Sequence, residues 1–168
     1  MEICLLSDTH GFLDPRVFDI CEDCDEIWHA GDFGTMEVIE QLMRFKPLRG
    51  VHGNIDDPEI RASMPQDLRF SMEGVNVWMT HIAGSPGRYS ARVRQSLKLN
   101  PPQVLICGHS HIVGVENDRQ HGLKFINPGA AGHEGHHQMR TLIKAEFVSG
   151  EIKNLRLVEL GPRGRRAV

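Results

Sequence analysis

The feature that most constrains this chain is a series of short apolar runs, each followed directly by carboxylate, amide or imidazole side chains. The first run, residues 3–6, has the length and composition of a buried strand, and Ser7-Asp8-Thr9-His10-Gly11 follows it. Residues two apart in an extended backbone point the same way, so Asp8 and His10 are predicted to face one target. A carboxylate and an imidazole on one target are typical ligands of a divalent metal.

Four later apolar runs end in the same way. Residues 26–29 lead into Gly31-Asp32, residues 48–51 into Gly53-Asn54, residues 75–80 into His81, and residues 103–107 into Gly108-His109-Ser110-His111. One such ending is expected by chance, whereas a series of them in one chain of 168 residues indicates a common site. The candidate metal-ligating residues are Asp8, His10, Asp32, Asn54, His81, His109 and His111.

The order of the predicted elements is βαβαβ, then a hairpin that turns at Glu73-Gly74, a helix, a strand and a set of antiparallel strands. This order favours an α+β fold in which two sheets form a β-sandwich flanked by helices on both faces. A single doubly wound sheet is the alternative, and it fits the first half of the chain better than the second. We expect one domain over residues 1–160 and a basic, disordered tail over residues 161–168.

Composition narrows the classes of partner and the cellular location. The net charge of −3 argues against a nucleic-acid-binding surface. No apolar run reaches membrane-spanning length and no signal peptide precedes the first strand, so we expect a cytoplasmic protein without a membrane partner. Without a secretion signal, Cys4, Cys21, Cys24 and Cys107 are expected to be reduced thiols. The single CxxC has no second pair with which to complete a zinc site.

The motifs Asp8-x-His10, Gly31-Asp32, Gly53-Asn54, His81 and Gly108-His109-Ser110-His111, taken in this order, resemble those of the calcineurin-like metallophosphoesterases. Residues 127–130, Asn-Pro-Gly-Ala, resemble a loop of the small single-domain (YfcE-like) phosphodiesterase branch of that family. The resemblance implies the two-sheet sandwich predicted above and two divalent metal ions. It implies one ion on Asp8, His10, Asp32 and His111, and a second on Asn54, His81 and His109 that Asp32 also bridges.

The resemblance also implies a reaction. Nitrogen and oxygen ligands without thiolate suit Mn²⁺, Fe, Ni²⁺, Co²⁺ or Zn²⁺ and argue against Cu(I), and we expect Mn²⁺ to be the ion in use. A hydroxide shared by the two ions would attack phosphorus in line, with His10, Asp32 and Asn54 as the catalytic residues. The expected substrate is a small phosphodiester. The alternatives are a phosphomonoesterase or nuclease on the same site, or a non-catalytic protein-binding scaffold resembling the retromer subunit of this family. The sequence leaves open whether the chain forms a homo-oligomer.

One position departs from the family pattern. Many members carry a histidine directly after the Gly-Asn asparagine, where it can protonate the leaving oxygen, and this chain has Ile55 there. General acid catalysis contributes about 10²–10⁴-fold, so we expect either a preference for acidic leaving groups or an acid borrowed from another histidine. The histidines considered for such a role or for a supporting contact are His29, His52, His133, His136 and His137. Asp56 and Asp57 are predicted to cap the turn that follows them.

Overall fold

Both faces of the first strand are apolar, which places that strand inside a layered structure. The computed structural model describes residues 1–164. In β1 (Glu2–Leu6), Ile3 and Leu5 enter one buried cluster, whereas Cys4 and Leu6 enter another. Successive side chains of a strand point to opposite faces, so β1 must be covered on both sides.

Two five-stranded mixed sheets form the centre of the fold. The first is built from β10 (Glu151–Pro162), β9 (Met139–Val148), β1, β2 (Glu26–His29) and β3 (Leu48–Gly50), in that spatial order, with β1, β2 and β3 parallel. The second is built from β4 (Asp67–Met72), β5 (Val75–Thr80), β6 (Val104–Ile106), β8 (Leu123–Pro128) and β7 (Val113–Asp118), with β5, β6 and β8 parallel. A shared apolar cluster that includes Ile3, Val77 and Ile143 draws on both sheets.

The helices cover the outer faces of this sandwich. α1 (Arg16–Ile20), α2 (Met36–Phe45) and α3 (Pro58–Ser63) pack their buried side chains against the outer face of the first sheet. α4 (Ala91–Leu99) packs Val93 and Leu97 against Trp78 and Leu105 of the second sheet. The predicted α+β sandwich with helices on both faces is therefore confirmed, and the doubly wound alternative is wrong. Within residues 1–164, no helix has the length and apolar character needed to span a membrane.

The C-terminal strand is longer than predicted. β10 continues through Pro162, two residues beyond the predicted boundary at 160. The amide of Arg163 then donates a hydrogen bond of 2.8 Å to the carbonyl of Gln138, which holds this part of the predicted tail beside the start of β9. Residues 165–168, the remainder of that tail, lie outside the described residues.

The cysteines differ from the expectation at one pair. Cys4 and Cys21 are joined as a disulfide across a sequence separation of 17, whereas Cys24 and Cys107 are free and buried. The expectation of four reduced thiols is therefore wrong for Cys4 and Cys21. β1 and the end of α1 bring their Cα atoms to 6.1 Å, a separation that a disulfide can span.

Candidate metal centre

The seven predicted ligands all follow the carboxyl ends of parallel strands, and the sandwich brings those ends together. β1 leads to Asp8 and His10, β2 to Asp32, β3 to Asn54, β5 to His81, and β6 to His109 and His111. Two groups have ligand atoms within 4.8 Å of one another: Asp8 with His10 and His111, and Asp32 with His81 and His109. The oxygen Oδ1 of Asn54 lies 3.1 Å from Nε2 of His81 and so adjoins the second group.

The backbone at these residues is left-handed and not extended. The φ angles are 55° at Asp8, 48° at His10, 57° at Asp32, 68° at His109 and 60° at His111. The extended geometry predicted for Asp8 and His10 is therefore wrong, because β1 ends at Leu6. A non-glycine residue in this region costs about 1–3 kcal/mol and persists only where its surroundings hold it. Hydrogen bonds from the amides of Asp8 and His10 to the Gly31 and Asp32 carbonyls provide such support.

One oxygen of the buried Asp8 lacks a hydrogen-bond partner. Its Oδ2 accepts hydrogen bonds from the Ser7 hydroxyl at 2.6 Å and from the His109 amide at 3.1 Å. Its Oδ1 is buried and has no partner within residues 1–164, and Nε2 of His111 lies 3.2 Å from it. Leaving a buried charged oxygen unpaired is costly. A cation held between these two atoms would remove that cost.

His81 directs one ring nitrogen towards two oxygens. Its Nδ1 lies 2.7 Å from the Ala30 carbonyl, and a carbonyl can only accept, so Nδ1 donates to it. Its Nε2 lies 3.2 Å from Oδ2 of Asp32 and 3.1 Å from Oδ1 of Asn54. A cation bound here in place of the Nε2 proton would have a nitrogen and two oxygens as ligands.

The pKa values of His81 and Asp32 reflect the contact between them. Burial lowers the pKa of His81, but the contacts with Asp32, Asp8 and the Ala30 carbonyl outweigh burial, so the net pKa is raised. Burial raises the pKa of Asp32, but hydrogen bonding and charge interactions, chiefly with His81, outweigh burial and lower the net pKa. The carboxylates of this site therefore favour additional positive charge close to His81.

His111 is oriented by a second histidine. Nε2 of His137 lies 3.0 Å from the Gly132 carbonyl and must donate to it, which leaves Nδ1 of His137 as an acceptor. Nδ1 of His111 lies 3.2 Å from that nitrogen and donates to it. Burial also lowers the pKa of His137, which favours its neutral form. Nε2 of His111 is thereby held 3.2 Å from Oδ1 of Asp8 and 3.3 Å from Nε2 of His10. In a neutral ring that donates from Nδ1, this nitrogen has a lone pair for a cation.

Replacing His137 with alanine is expected to weaken Mn²⁺ binding about tenfold, because the partner that fixes the tautomer and ring orientation of a ligating histidine contributes 10–100-fold to metal affinity. Calorimetric titration of the metal-free protein with Mn²⁺ measures the effect. His136→Ala is the matched control, since His136 lies in the same loop and is exposed. An equal loss in both variants would contradict the orienting role and indicate a general effect on the loop.

The other histidines considered from the sequence lie away from the ligand atoms. His29 is fully buried, with Nε2 on the Thr9 hydroxyl and Nδ1 accepting from the Gly31 amide. Burial lowers the pKa of His29 to about 3, so its ring is neutral. The ring links the loops that follow β1 and β2. His133 packs on Phe12 at a ring-centroid distance of 4.0 Å. His52 lines a cavity next to Asn54.

The two aspartates after Asn54 have different roles. Asp57 caps α3 by accepting from the Ile60 amide at 3.0 Å, as predicted. The cap predicted for Asp56 is wrong. Its buried carboxylate accepts from the Gly53 amide at 2.7 Å and from the Gly34 amide at 2.8 Å, so it links the loops after β2 and β3.

Sequence reasoning missed the supporting roles of Ser7 and Asn127, and it considered His137 without linking it to His111. Ser7 holds Oδ2 of Asp8, and His137 orients His111. Asn127 stands out in the sequence only as part of a loop motif, yet its buried amide donates to the Gly108 carbonyl at 2.9 Å and to the Ser110 hydroxyl at 3.1 Å. Only the adjacency of Ser7 to Asp8 is visible in the sequence, because the contact of His137 spans 26 residues and those of Asn127 span 19 and 17.

Comparison with known proteins identifies the family of this chain. The family model for the calcineurin-like phosphoesterase superfamily domain matches residues 1–150. A protein named "Probable metallophosphoesterase" from Methanothermobacter thermautotrophicus is 29% identical over 136 residues, which is 77% of each chain. The solved structure of an archaeal phosphodiesterase superposes with a TM-score of 0.76 at 21% identity, over 95% of this chain and 100% of that one. Vps29 from Chaetomium thermophilum superposes with a TM-score of 0.74 at 16% identity, over 95% and 97%.

The family match covers most of the chain, and the strand-end motifs that suggested it lie together in the structure. The donor set of carboxylate and imidazole, with an unpartnered buried carboxylate oxygen, fits the divalent metals that this family uses. This chain therefore belongs to the calcineurin-like phosphoesterase superfamily, and its structural neighbours include small phosphoesterases of the YfcE type.

Proposed function

We propose that the protein is a phosphodiesterase that works with two divalent metal ions. The observation that carries the proposal is the position of Asp32 between the two ligand groups. Its Oδ2 lies 3.2 Å from Nε2 of His81 in one group and 3.7 Å from Nε2 of His10 in the other. A carboxylate in this position can bridge two cations that would otherwise repel each other.

The chain itself supplies ligands and hydrogen-bond donors. Asp8, His10, Asp32 and His111 would hold one ion, and Asp32, Asn54, His81 and His109 the other. When bound, the ions stabilise negative charge on the phosphoryl oxygens and make water a better nucleophile at neutral pH. The amide of Asn54 has N–H donors besides the Oδ1 that faces His81, so it can also donate to a phosphoryl oxygen. In-line attack by water, with no covalent enzyme intermediate, is part of the proposal.

Two cavities favour a diester over a monoester. One cavity of about 360 Å³ is lined in part by Asn54 and His81, and another of about 360 Å³ is lined in part by Gly108 and His109. A diester has two substituents on phosphorus, and the two cavities that adjoin the site can receive one each. A phosphomonoester would use only one cavity.

The proposal also includes the expectations from the sequence about the metal, the substrate and the location. We propose Mn²⁺ as the ion in use, a small phosphodiester as the substrate and a cytoplasmic location. Ile55 is 46% exposed, its backbone amide donates to Oδ1 of Asp32 at 3.1 Å, and its side chain has no proton to transfer. The proposal therefore includes a preference for leaving groups that need no protonation.

A protein-binding scaffold is the alternative from another class, since the Vps29 structures share this fold. A scaffold that does not catalyse a reaction has no need for the candidate ligand atoms to face a common metal position. Within residues 1–164, Asp8 Oδ1 is left without a hydrogen-bond partner, and Nε2 atoms of His111 and His81 lie 3.2 Å from the carboxylate oxygens of Asp8 and Asp32. This arrangement favours the enzyme.

The test compares metal-free protein with Mn²⁺-reconstituted protein on a panel of aryl phosphodiesters and phosphomonoesters. We expect hydrolysis only after reconstitution, with higher kcat/KM for diesters and a steep dependence on leaving-group pKa. Elemental analysis of the reconstituted protein should give two ions per chain. Stoichiometric metal uptake with no hydrolysis of any ester would contradict the enzyme assignment and favour the scaffold. Faster hydrolysis of monoesters would contradict the diester preference.

A further inference from the structure

We propose that the cavity beside Asn54 binds an anionic group of the substrate, so that preferred diesters carry an additional carboxylate or phosphate on one substituent. This inference rests on the phosphodiesterase function proposed above and deepens it. The cavity is lined in part by the ligands Asn54 and His81, so a group bound there belongs to the same substrate molecule that reaches the metal centre.

The electrostatic character of this cavity is positive. Its other lining side chains include Arg61, Arg92, His52 and Gln66, and none of its lining residues is an aspartate or glutamate. The second cavity differs, because Ile112, Val113, Phe125 and Glu116 line it. The two substituents of a diester therefore meet different surroundings, one cationic and the other largely apolar.

The charge of Arg92 is already compensated. Its Nη1 donates to both carboxylate oxygens of Asp67 at 2.8 Å, and its Nη2 donates to the Thr80 hydroxyl at 2.7 Å. A guanidinium paired in this way contributes little net potential to the cavity.

Arg61 is different, because its partners are neutral. Its Nε donates to the Asp56 carbonyl at 2.7 Å and its Nη2 to the Asn54 carbonyl at 2.9 Å. Within residues 1–164, no carboxylate lies within ion-pair distance of this side chain. A guanidinium has five N–H donors, so most remain available while two hold the group in place beside Asn54. A fixed guanidinium fork of this kind suits a carboxylate or a phosphate.

The test compares two diesters that differ by one charge, phenyl 4-carboxyphenyl phosphate and phenyl 4-(methoxycarbonyl)phenyl phosphate, with Mn²⁺-reconstituted protein. Each diester is followed by chromatography as total substrate consumed. The measured quantity is kcat/KM for the anionic diester divided by kcat/KM for the neutral diester. Dividing this ratio in each variant by the ratio in the wild type cancels intrinsic leaving-group reactivity. We expect Arg61→Gln to lower the ratio about tenfold, which corresponds to the weaker end of the range for a charge-assisted hydrogen bond.

Three further measurements make the result specific. Arg61→Lys keeps the charge and should recover part of the preference. Arg44→Gln removes an exposed, distant positive charge on α2 and should leave the ratio unchanged. Titration of metal-free protein with 4-hydroxybenzoate should shift the amide resonances of Gly53 and Ser90 in the wild type and not in Arg61→Gln.

The outcomes separate the two proposals. An equal fall for both diesters in Arg61→Gln would mean that Arg61 only supports the backbone of Asn54, and it would overturn the anionic subsite while leaving the phosphodiesterase intact. An unchanged ratio, or identical resonance shifts in both proteins, would overturn the subsite as well. Failure of the reconstituted wild type to hydrolyse either diester would overturn the proposed function, and this inference with it.

Discussion

Replacing Asp32 with asparagine is expected to lower kcat/KM for a phosphodiester by about 10³-fold or more. The amide of asparagine is nearly the same size as the carboxylate and can still accept from the Ile55 amide, so the loop is preserved. The lost negative charge lies between the two ligand groups, so the ions are bound less well. Bound ions lower the barrier to phosphoryl transfer by several kcal/mol, and each 1.4 kcal/mol corresponds to about tenfold in rate.

The same variant separates a metal role from a folding role. The wild type should gain thermal stability when Mn²⁺ is added, because an ion that binds only the folded state shifts the unfolding equilibrium. Asp32→Asn should lose most of that gain. Its metal-free form should be less stable than the metal-free wild type, because the lowered pKa of Asp32 means that the folded protein favours the ionised carboxylate beside His81, so the gain of each protein is measured from its own metal-free form. Asp19→Asn on α1 is the matched control, because Asp19 is exposed. Activity within a few-fold of wild type in Asp32→Asn would contradict the bridging position.

The second large effect is expected at Gly53. A Cβ placed there would lie 1.9 Å from Oδ1 of Asp32 and 2.4 Å from the Asp32 amide nitrogen, so Asp32 or the loop after β3 must move. Overpacking of this kind costs about 1–3 kcal/mol of stability, and displacement of a site residue by about 1 Å can cost about 10²-fold in rate. We therefore expect Gly53→Ala to lose about 10²-fold in kcat/KM and to bind Mn²⁺ more weakly.

Gly122→Ala controls for the general cost of adding a methyl group to a turn. Gly122 has a φ of +65°, and a Cβ placed there would meet no other atom within 4 Å, so this variant should lose about 1 kcal/mol of stability and keep its activity. Chemical denaturation and steady-state kinetics of both variants measure the two effects. Normal Mn²⁺ affinity and normal kcat/KM in Gly53→Ala would contradict the close packing of Gly53 against Asp32.

The fold was predictable because its signals are local. The apolar runs of β1, β2 and β5 and the stripe of Val38, Ile39 and Leu42 on α2 appear in the structure where the periodicity places them. The turn at Glu73-Gly74 also forms, with both residues at positive φ. The contact between Cys4 and Cys21 was not predictable, because it depends on how α1 packs against β1 and on no local pattern.

The sequence by itself determined which side chains can form the centre, because each of them follows an apolar strand and strand ends of parallel neighbours meet at one edge. Only the tertiary structure decided how they meet. The backbone at Asp8 and His10 is left-handed, and the contacts of His81 and His111 with Ala30 and His137 hold Nδ1 of each ring, so that Nε2 faces the carboxylates. These features depend on contacts between residues 22 to 51 positions apart, and no local pattern encodes such contacts.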